Sequence, residues 1–309
     1  MGRGRAAVIG VVVGLIVATG GYVAFVRHGT GSTGVTSRSG DLLQLVRRLV
    51  DDMPRPDSHA YHSPTRSQEA AMASAFRLVE KGDLDQAAEL VRPLDYDVIA
   101  YTDTATGRHL FLLQERQRPD GSWPHAWGLY VVAPDSTSDL VVEVAHPLDD
   151  IDSWIVGVDT FRLGNAADLL VAGASRFAGE GDAADVAHNV HTVFQAMHQA
   201  KLARHRAVVF EPHGFETAEH ASYGDIVVSN GTSTPDDLAR SVAAALRREG
   251  FTVCLYNGVD CSALGATTNV QGQTIEPGDH FLHVELAARI RHDPALARKV
   301  AQVVARLAG

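Results

Sequence analysis

Hydrophobic residues change their spacing twice along this chain. LLQLVRRLV (42–50) and two shorter stretches, around 67–80 and 84–92 with KGD between them, carry apolar residues at helical spacing. From Asp97 the period drops to two in DVIAYTD, RHLFLLQER and GLYVVAP. Thr106-Gly107 and Asp120-Gly121 mark turns between them, which predicts an antiparallel meander. Further on, continuous apolar runs take over: LVVEVA (140–145), LLVAGA (169–174), AVVF (207–210), IVVS (226–229), FTVCLY (251–256) and FLHVEL (281–286). Helix-like stretches at 184–202, 235–249 and 294–307 lie among them, and Ser233-Thr234-Pro235-Asp236-Asp237 makes a good helix opening. Apolar strands separated by helices predict an α/β fold: a mostly parallel twisted sheet with helices on both faces.

The N-terminal end has another texture. Residues 6–25 (AAVIGVVVGLIVATGGYVAF) are uncharged and, at 1.5 Å per residue, would span about 30 Å, one bilayer core. Arg3 and Arg5 precede the run and Arg27 follows it, which favours an inside N-terminus and an outside remainder. A cleaved signal peptide is the alternative, although no clean A-x-A site follows. Gly10-x-x-x-Gly14 matches a small-residue helix-packing pattern. GTGSTGVTSRSG (29–40) reads as a flexible spacer. The expected organisation is a cytoplasmic tail (1–5), a transmembrane anchor (6–26), a linker (27–40), a helical and β-meander accessory region (41–135) and an α/β domain (136–309). On that reading the protein is single-pass, touches the membrane through its N-terminal helix and holds its bulk outside the cytoplasm.

Composition narrows the function classes. With 45% hydrophobic and 21% charged residues, the 309-residue chain has material for a substantial core. Lys+Arg 27 against Asp+Glu 37 gives a net charge of -10, which argues against a nucleic-acid partner. Two cysteines cannot build a disulfide framework; Cys254 and Cys261 either pair across a short loop or remain buried thiols. No P-loop, G-x-S-x-G elbow or dinucleotide-binding glycine fingerprint is present. The 15 histidines are the unusual feature.

In open α/β sheets, sites form beyond the carboxyl ends of strands. LVVEVA is followed there by His146-Pro147-Leu148-Asp149-Asp150, LLVAGA by Ser175-Arg176 and AVVFEP by His213-Gly214, while FLHVEL carries Glu285 near its end. His146, His213 and either Asp149 or Asp150 would supply two imidazoles and a carboxylate, a three-ligand set for zinc that leaves a position open. Helical pitch favours Asp149, yet a loop after a proline can bring either aspartate round, and Asp150 is the first choice. Glu285 is then the candidate base. Arg176 is a candidate clamp for a substrate carboxylate, with a surface salt bridge as the plainer reading. His188, His191 and His198 form a column on the 184–202 helix, more simply read as a solvated edge. Residues 265–272 could border a pocket, and Trp123, Trp127 and Trp154 read as core.

The order of these motifs, His146 with its nearby carboxylate, then His213-Gly214, then Glu285-Leu286 before a basic helix, resembles that of zinc carboxypeptidase-like amidohydrolases. The resemblance runs over about 138–309 and points to the branch with poly-gamma-glutamate hydrolases, with N-formylglutamate amidohydrolases as a related comparison. It implies an α/β sheet, one zinc held by His146, the adjacent aspartate and His213, and Glu285 as general base in hydrolysis of amide bonds next to a carboxylate. Where that family uses glutamate beside the first histidine, this chain has aspartate, and the Asn-Arg pair with which carboxypeptidases grip a terminal carboxylate is missing. The function expected is zinc-dependent hydrolysis of amide bonds in a peptide, cell-envelope or gamma-glutamyl substrate by a membrane-anchored protein. The alternative is an inactive binding or scaffold protein that keeps the fold.

Overall fold

A computed structural model describes residues 34–203 and 206–309. Its strands are β1 (Val35–Gly40), β2 (Tyr96–Asp103), β3 (His109–Glu115), β4 (Leu129–Val132), β5 (Leu140–Val144), β6 (Asp168–Val171), β7 (Val208–Phe215), β8 (Ile226–Ser229), β9 (Val253–Leu255) and β10 (His280–Ala287). They join in one ten-stranded sheet of order β1-β2-β3-β4-β6-β5-β7-β10-β8-β9. The sheet is mixed, which corrects the mostly parallel arrangement expected from the apolar runs. The centre, β6-β5-β7-β10, is a continuous parallel block, and β1-β2 and β8-β9 are parallel pairs at the two edges. β2, β3 and β4 alternate in direction, β4 meets β6 antiparallel, and β8 runs antiparallel to β10. The physical reason lies in the connections. No α-helix intervenes between β7 and β8, so the chain turns back directly, whereas a parallel return needs a long crossover. An apolar run is equally buried in either direction, so hydropathy does not reveal it.

The anchor expected at 6–26 lies outside the described residues. Among the described residues no helix is long and apolar enough to cross a membrane, so a single-pass membrane protein with its bulk outside does not stand on this structure. An uncharged run meets the length requirement of a span, but spanning also needs a helix that satisfies its own backbone polar groups. Val35–Gly40, at the end of the stretch read as a spacer, pairs parallel to β2 as an edge strand.

Side-chain alternation separates the two faces. Val142 and Val144 of β5 and Pro212 of β7 crowd against Gly157 of the helix Ser153–Leu163. Glu143, between those valines, points the other way and meets His198 of the helix Val193–Leu202. Helices therefore cover both faces. The sequence pattern extends a helix over 184–202, but only Val193–Leu202 is helical, and the preceding residues form turns. Thr192 caps that helix by accepting from the Gln195 N–H. Cys254 and Cys261 form a disulfide, and Trp123, Trp127 and Trp154 are buried.

An ion cluster joins the ends of β1 and β2 to the helix Ser153–Leu163. Arg162 donates from Nε and Nη2 to the Asp103 carboxylate at 3.0 and 2.7 Å, and from Nη2 to Asp41 at 2.6 Å. Asp103 is buried and also accepts from the Leu42 N–H and Thr106 hydroxyl. Burial works to raise its pKa, but the bonds from Arg162, Leu42 and Thr106 outweigh it and hold the carboxyl below its usual range. Removing the guanidinium leaves a buried carboxylate without its cation. Arg162→Ala should therefore cost about 3–5 kcal/mol at neutral pH in urea unfolding. Because the folded pKa is depressed, this contribution is complete above the ordinary carboxylate range and fades as pH falls through the folded value. The gap between wild type and variant should accordingly shrink in unfolding curves taken near pH 3.

Candidate metal centre

The central strands bring the candidate residues together through register. In the parallel β7–β10 pair Glu211 lies beside His283 and His213 beside Glu285. Side chains two apart on a strand share a face, so these four form two rows on the face that carries Glu143. His146 follows β5. Its carbonyl accepts the Asp150 N–H at 3.0 Å, closing one turn that swings the Asp150 carboxylate back over the imidazole. Asp149 turns away: it accepts from the Ser175 hydroxyl and the Arg176 N–H at 2.7 and 2.8 Å and so fixes the loop after β6. Arg291, itself buried, donates to the carbonyls of Leu286, Ile151 and Phe215 and so ties together the chain beyond β10, β5 and β7. A side chain at Gly214 would collide with that guanidinium, its Cβ only 2.5 Å from Nε, so glycine follows His213 of necessity.

Donor atoms of His146, Asp150 and His213 converge within 4.8 Å of one another, all buried. Asp150 Oδ2 lies 2.8 Å from His213 Nδ1 and 3.6 Å from His146 Nδ1. The far nitrogen of each ring meets a carboxylate: His146 Nε2 to Asp185 at 2.8 Å and His213 Nε2 to Glu211 at 3.0 Å. A carboxylate holding the distal N–H fixes tautomer and orientation and turns Nδ1 towards the centre, as metal-ligating histidines require. Among the described residues His146 Nδ1 is buried and has no hydrogen-bond partner, and the same holds for His283 Nδ1 and Glu285 Oε2. A buried imidazole nitrogen without a partner, such as His146 Nδ1 beside Asp150, is costly unless a cation takes it up. Two imidazoles and a carboxylate with a free Nδ1 fit a divalent ion such as zinc. His213, His283 and Glu285 form a second, overlapping group of the same kind.

The electrostatics match a cation-accepting site. Burial alone would lower the His213 pKa, but its bonds to Asp150 and Glu211 outweigh this and raise it well above the usual value. His146 is raised in the same way by Asp150 and Asp185. Burial would raise Asp150, yet hydrogen bonds and charge from the two histidines hold it far below the ordinary carboxylate range. The carboxylates around the two rings favour positive charge at this point, whether it is carried by a proton or by a metal ion. Opposite this cluster, burial pushes Glu285 up to about 7. Burial and the neighbouring His213 charge hold His283 well below its usual value, hence neutral.

A cavity of about 580 Å³ lies over the cluster, with His146, Asp150, His213, His283 and Glu285 at its floor. Arg176 also lines it, but its Nη2 donates to Asp150 Oδ1 at 2.7 Å, so the guanidinium steadies the aspartate instead of standing free as a clamp. The histidine column breaks up. His188 pairs with Asp185 at the cavity edge, His191 meets Arg66, and His198 is buried against Glu143. Thr267, Thr268 and Asn269, from the stretch read as a possible border, line the wall. Sequence reasoning passed over Glu211 and His283, and it gave Asp185, within the candidate stretch that runs from Gly173 to His188, no role of its own. Glu211 and His283 had a signal, a charged or polar residue inside an otherwise apolar strand, as in VVFEP and FLHVEL. Asp185 lies in a turn-rich stretch where an acidic residue is unremarked.

No family model and no curated protein matches the chain. Among solved structures it is similar to a gene product of Agrobacterium tumefaciens, with 14% identity over 56% of this chain and 90% of that one and a TM-score of 0.41. An N-formylglutamate amidohydrolase from Ralstonia eutropha matches with 16% identity over 59% of this chain and 97% of that one, at a TM-score of 0.38. An aspartoacylase family protein from Mesorhizobium loti follows at 9% identity, 63% and 66% coverage and a TM-score of 0.36. Likeness of that order says nothing of the activity of this chain.

Proposed function

We propose that this protein is a zinc-dependent amidohydrolase, with His146, Asp150 and His213 as ligands and Glu285 as general base. The observation that carries the reading is the convergence of the three donor groups, each histidine backed by a carboxylate, beneath a cavity that also exposes a buried glutamate to the same point. A zinc ion held by these residues would supply a Lewis acid for the scissile carbonyl and would help the attacking water lose a proton near neutral pH. Glu285 takes that proton on its carboxylate as water attacks and delivers it to the departing amide nitrogen. A pKa pushed up to about 7 suits both halves of this transfer. Arg176 holds the Asp150 carboxylate in place, and Asp185 and Glu211 hold the imidazoles in the tautomer that presents Nδ1. The substrate is an amide with an acyl or peptide-like group that fits the cavity.

The full chain, purified after growth with zinc, should carry about one zinc per chain by elemental analysis. It should hydrolyse simple N-acyl amino acids or short peptides, lose that activity to a chelator and recover it on zinc addition. A folded protein that takes up no zinc would overturn the reading. Zinc uptake with no turnover across such a panel would favour a metal-holding protein without hydrolytic activity.

A further inference from the structure

We infer that Glu211 and Asn269 are positioning residues of the metal centre, and that through them one wall of the cavity sets the geometry of the ligand histidines. The inference rests on the metal-dependent reading above and extends it to residues that are not themselves proposed as ligands. Glu211 is fully buried in the middle of β7 and, among the described residues, has no lysine or arginine among its hydrogen-bond partners. Its donors are two. His213 Nε2 lies 3.0 Å from Oε1, and Asn269 Nδ2 lies 3.1 and 2.9 Å from the two oxygens. A buried carboxylate is costly without donors, so the Asn269 amide decides where Glu211 sits, and Glu211 decides which way the His213 ring faces. The orientation of that amide is settled by its other end: Asn269 Oδ1 accepts the Gly272 N–H at 2.9 Å, which leaves Nδ2 for Glu211.

Asn269 is also where the two supports meet. The next residue, Val270, donates its N–H to the Ala187 carbonyl at 2.8 Å, and Gln271 Nε2 donates to the Val186 carbonyl at 3.0 Å. Those carbonyls directly follow Asp185, the carboxylate that holds His146. The partner of each ligand histidine is therefore mounted on one hydrogen-bonded frame, residues 185–187 against 269–271. The same frame lines the cavity through Ala187 and Asn269, with Thr267 and Thr268 beside it. Metal geometry and substrate wall are one mechanical unit.

Asparagine at 269 does two separable things, and this makes the test decisive. Its oxygen caps the short helix Val270–Gln273, and its nitrogen holds Glu211. Asn269→Asp keeps an acceptor for the Gly272 N–H but replaces the donor facing Glu211 with a second carboxylate. Full-length wild type, Asn269→Asp, Asn269→Ala and Glu211→Gln would be stripped of metal. They would then be titrated with zinc against a competing chelator and with cobalt(II), whose visible spectrum reports ligand geometry. Glu211→Gln should bind zinc about 10–100-fold more weakly. Asn269→Asp should weaken at least as much as Asn269→Ala, with an altered cobalt spectrum and unchanged circular dichroism. Wild-type affinity and spectrum in Asn269→Asp would reduce Asn269 to a loop cap and overturn the inference; the same result in Glu211→Gln would overturn it for Glu211. If one variant folds poorly, the other decides. Wild type that takes up neither zinc nor cobalt would remove the metal-dependent reading itself, an outcome distinct from intact binding in all variants.

Discussion

Glu285→Gln should abolish nearly all amide hydrolysis while leaving the protein folded and metal-loaded. Glutamine keeps the shape of the side chain and removes its ability to take and return a proton, so turnover should fall by at least about a hundredfold, about 2.7 kcal/mol in the barrier. Zinc content and melting temperature should change little, because Glu285 Oε2 has no hydrogen-bond partner for the fold to lose. Burial, the cause of its raised pKa, also makes its charged form costly, so the neutral amide fits the same strand position. Single-turnover kinetics together with elemental analysis separate the outcomes. If the variant loses zinc, Glu285 is a ligand, and the overlapping group of His213, His283 and Glu285 is the true metal set. If it keeps both zinc and full activity, the proton is carried elsewhere.

The second large effect concerns the ligands. His146→Ala, His213→Ala and Asp150→Ala should each reduce zinc content to background, since two remaining protein ligands seldom retain the ion. Asp149→Ala, one residue away, should keep its zinc. Its carboxylate is spent on the Ser175 hydroxyl and the Arg176 N–H, so its loss loosens the loop after β6 instead of the centre. The contrast between adjacent aspartates is sharper than any single substitution. Removing Asp150 also strands Arg176, whose Nη2 then has no carboxylate beside it. Elemental analysis of the four purified variants, with circular dichroism to confirm folding, is the measurement. Zinc retained in Asp150→Ala and lost in Asp149→Ala would reverse the assignment.

Much of the architecture follows from local pattern. The helices Leu42–Asp52, Arg66–Glu80, Leu84–Val91 and Asp237–Arg248 sit close to where periodicity and capping residues put them. So do β2, β3 and the apolar strands, because each is specified by side chains within a few residues of one another. The helix Ser153–Leu163 escaped. In SWIVGVDTFRL residues on most sides are buried between the sheet and the C-terminal helix Pro294–Ala308, so no polar face marks its period. The helix assumed over 184–191 failed for the opposite reason: its apolar spacing is real, but Val186 and Ala187 are buried by the 269–271 loop and the chain there forms turns.

The sequence by itself determined which residues could carry chemistry. A histidine or carboxylate at the end of an apolar strand is visible as composition, and His146, His213, Glu285 and the Asp149-Asp150 pair stand out on that ground alone. It determined neither strand direction nor pairing, because a fully buried strand looks the same whichever way its neighbour runs. Tertiary structure decided the rest. The register of β7 against β10 set His213 beside Glu285 and Glu211 beside His283. One backbone turn chose Asp150 over Asp149 to face the histidines. Asp185 and Asn269, 39 and 56 residues from the histidines they support, reached them only through folding. Metal coordination depends on angles and distances of a few ångströms among residues far apart in the chain, and such distances exist only after the sheet has formed.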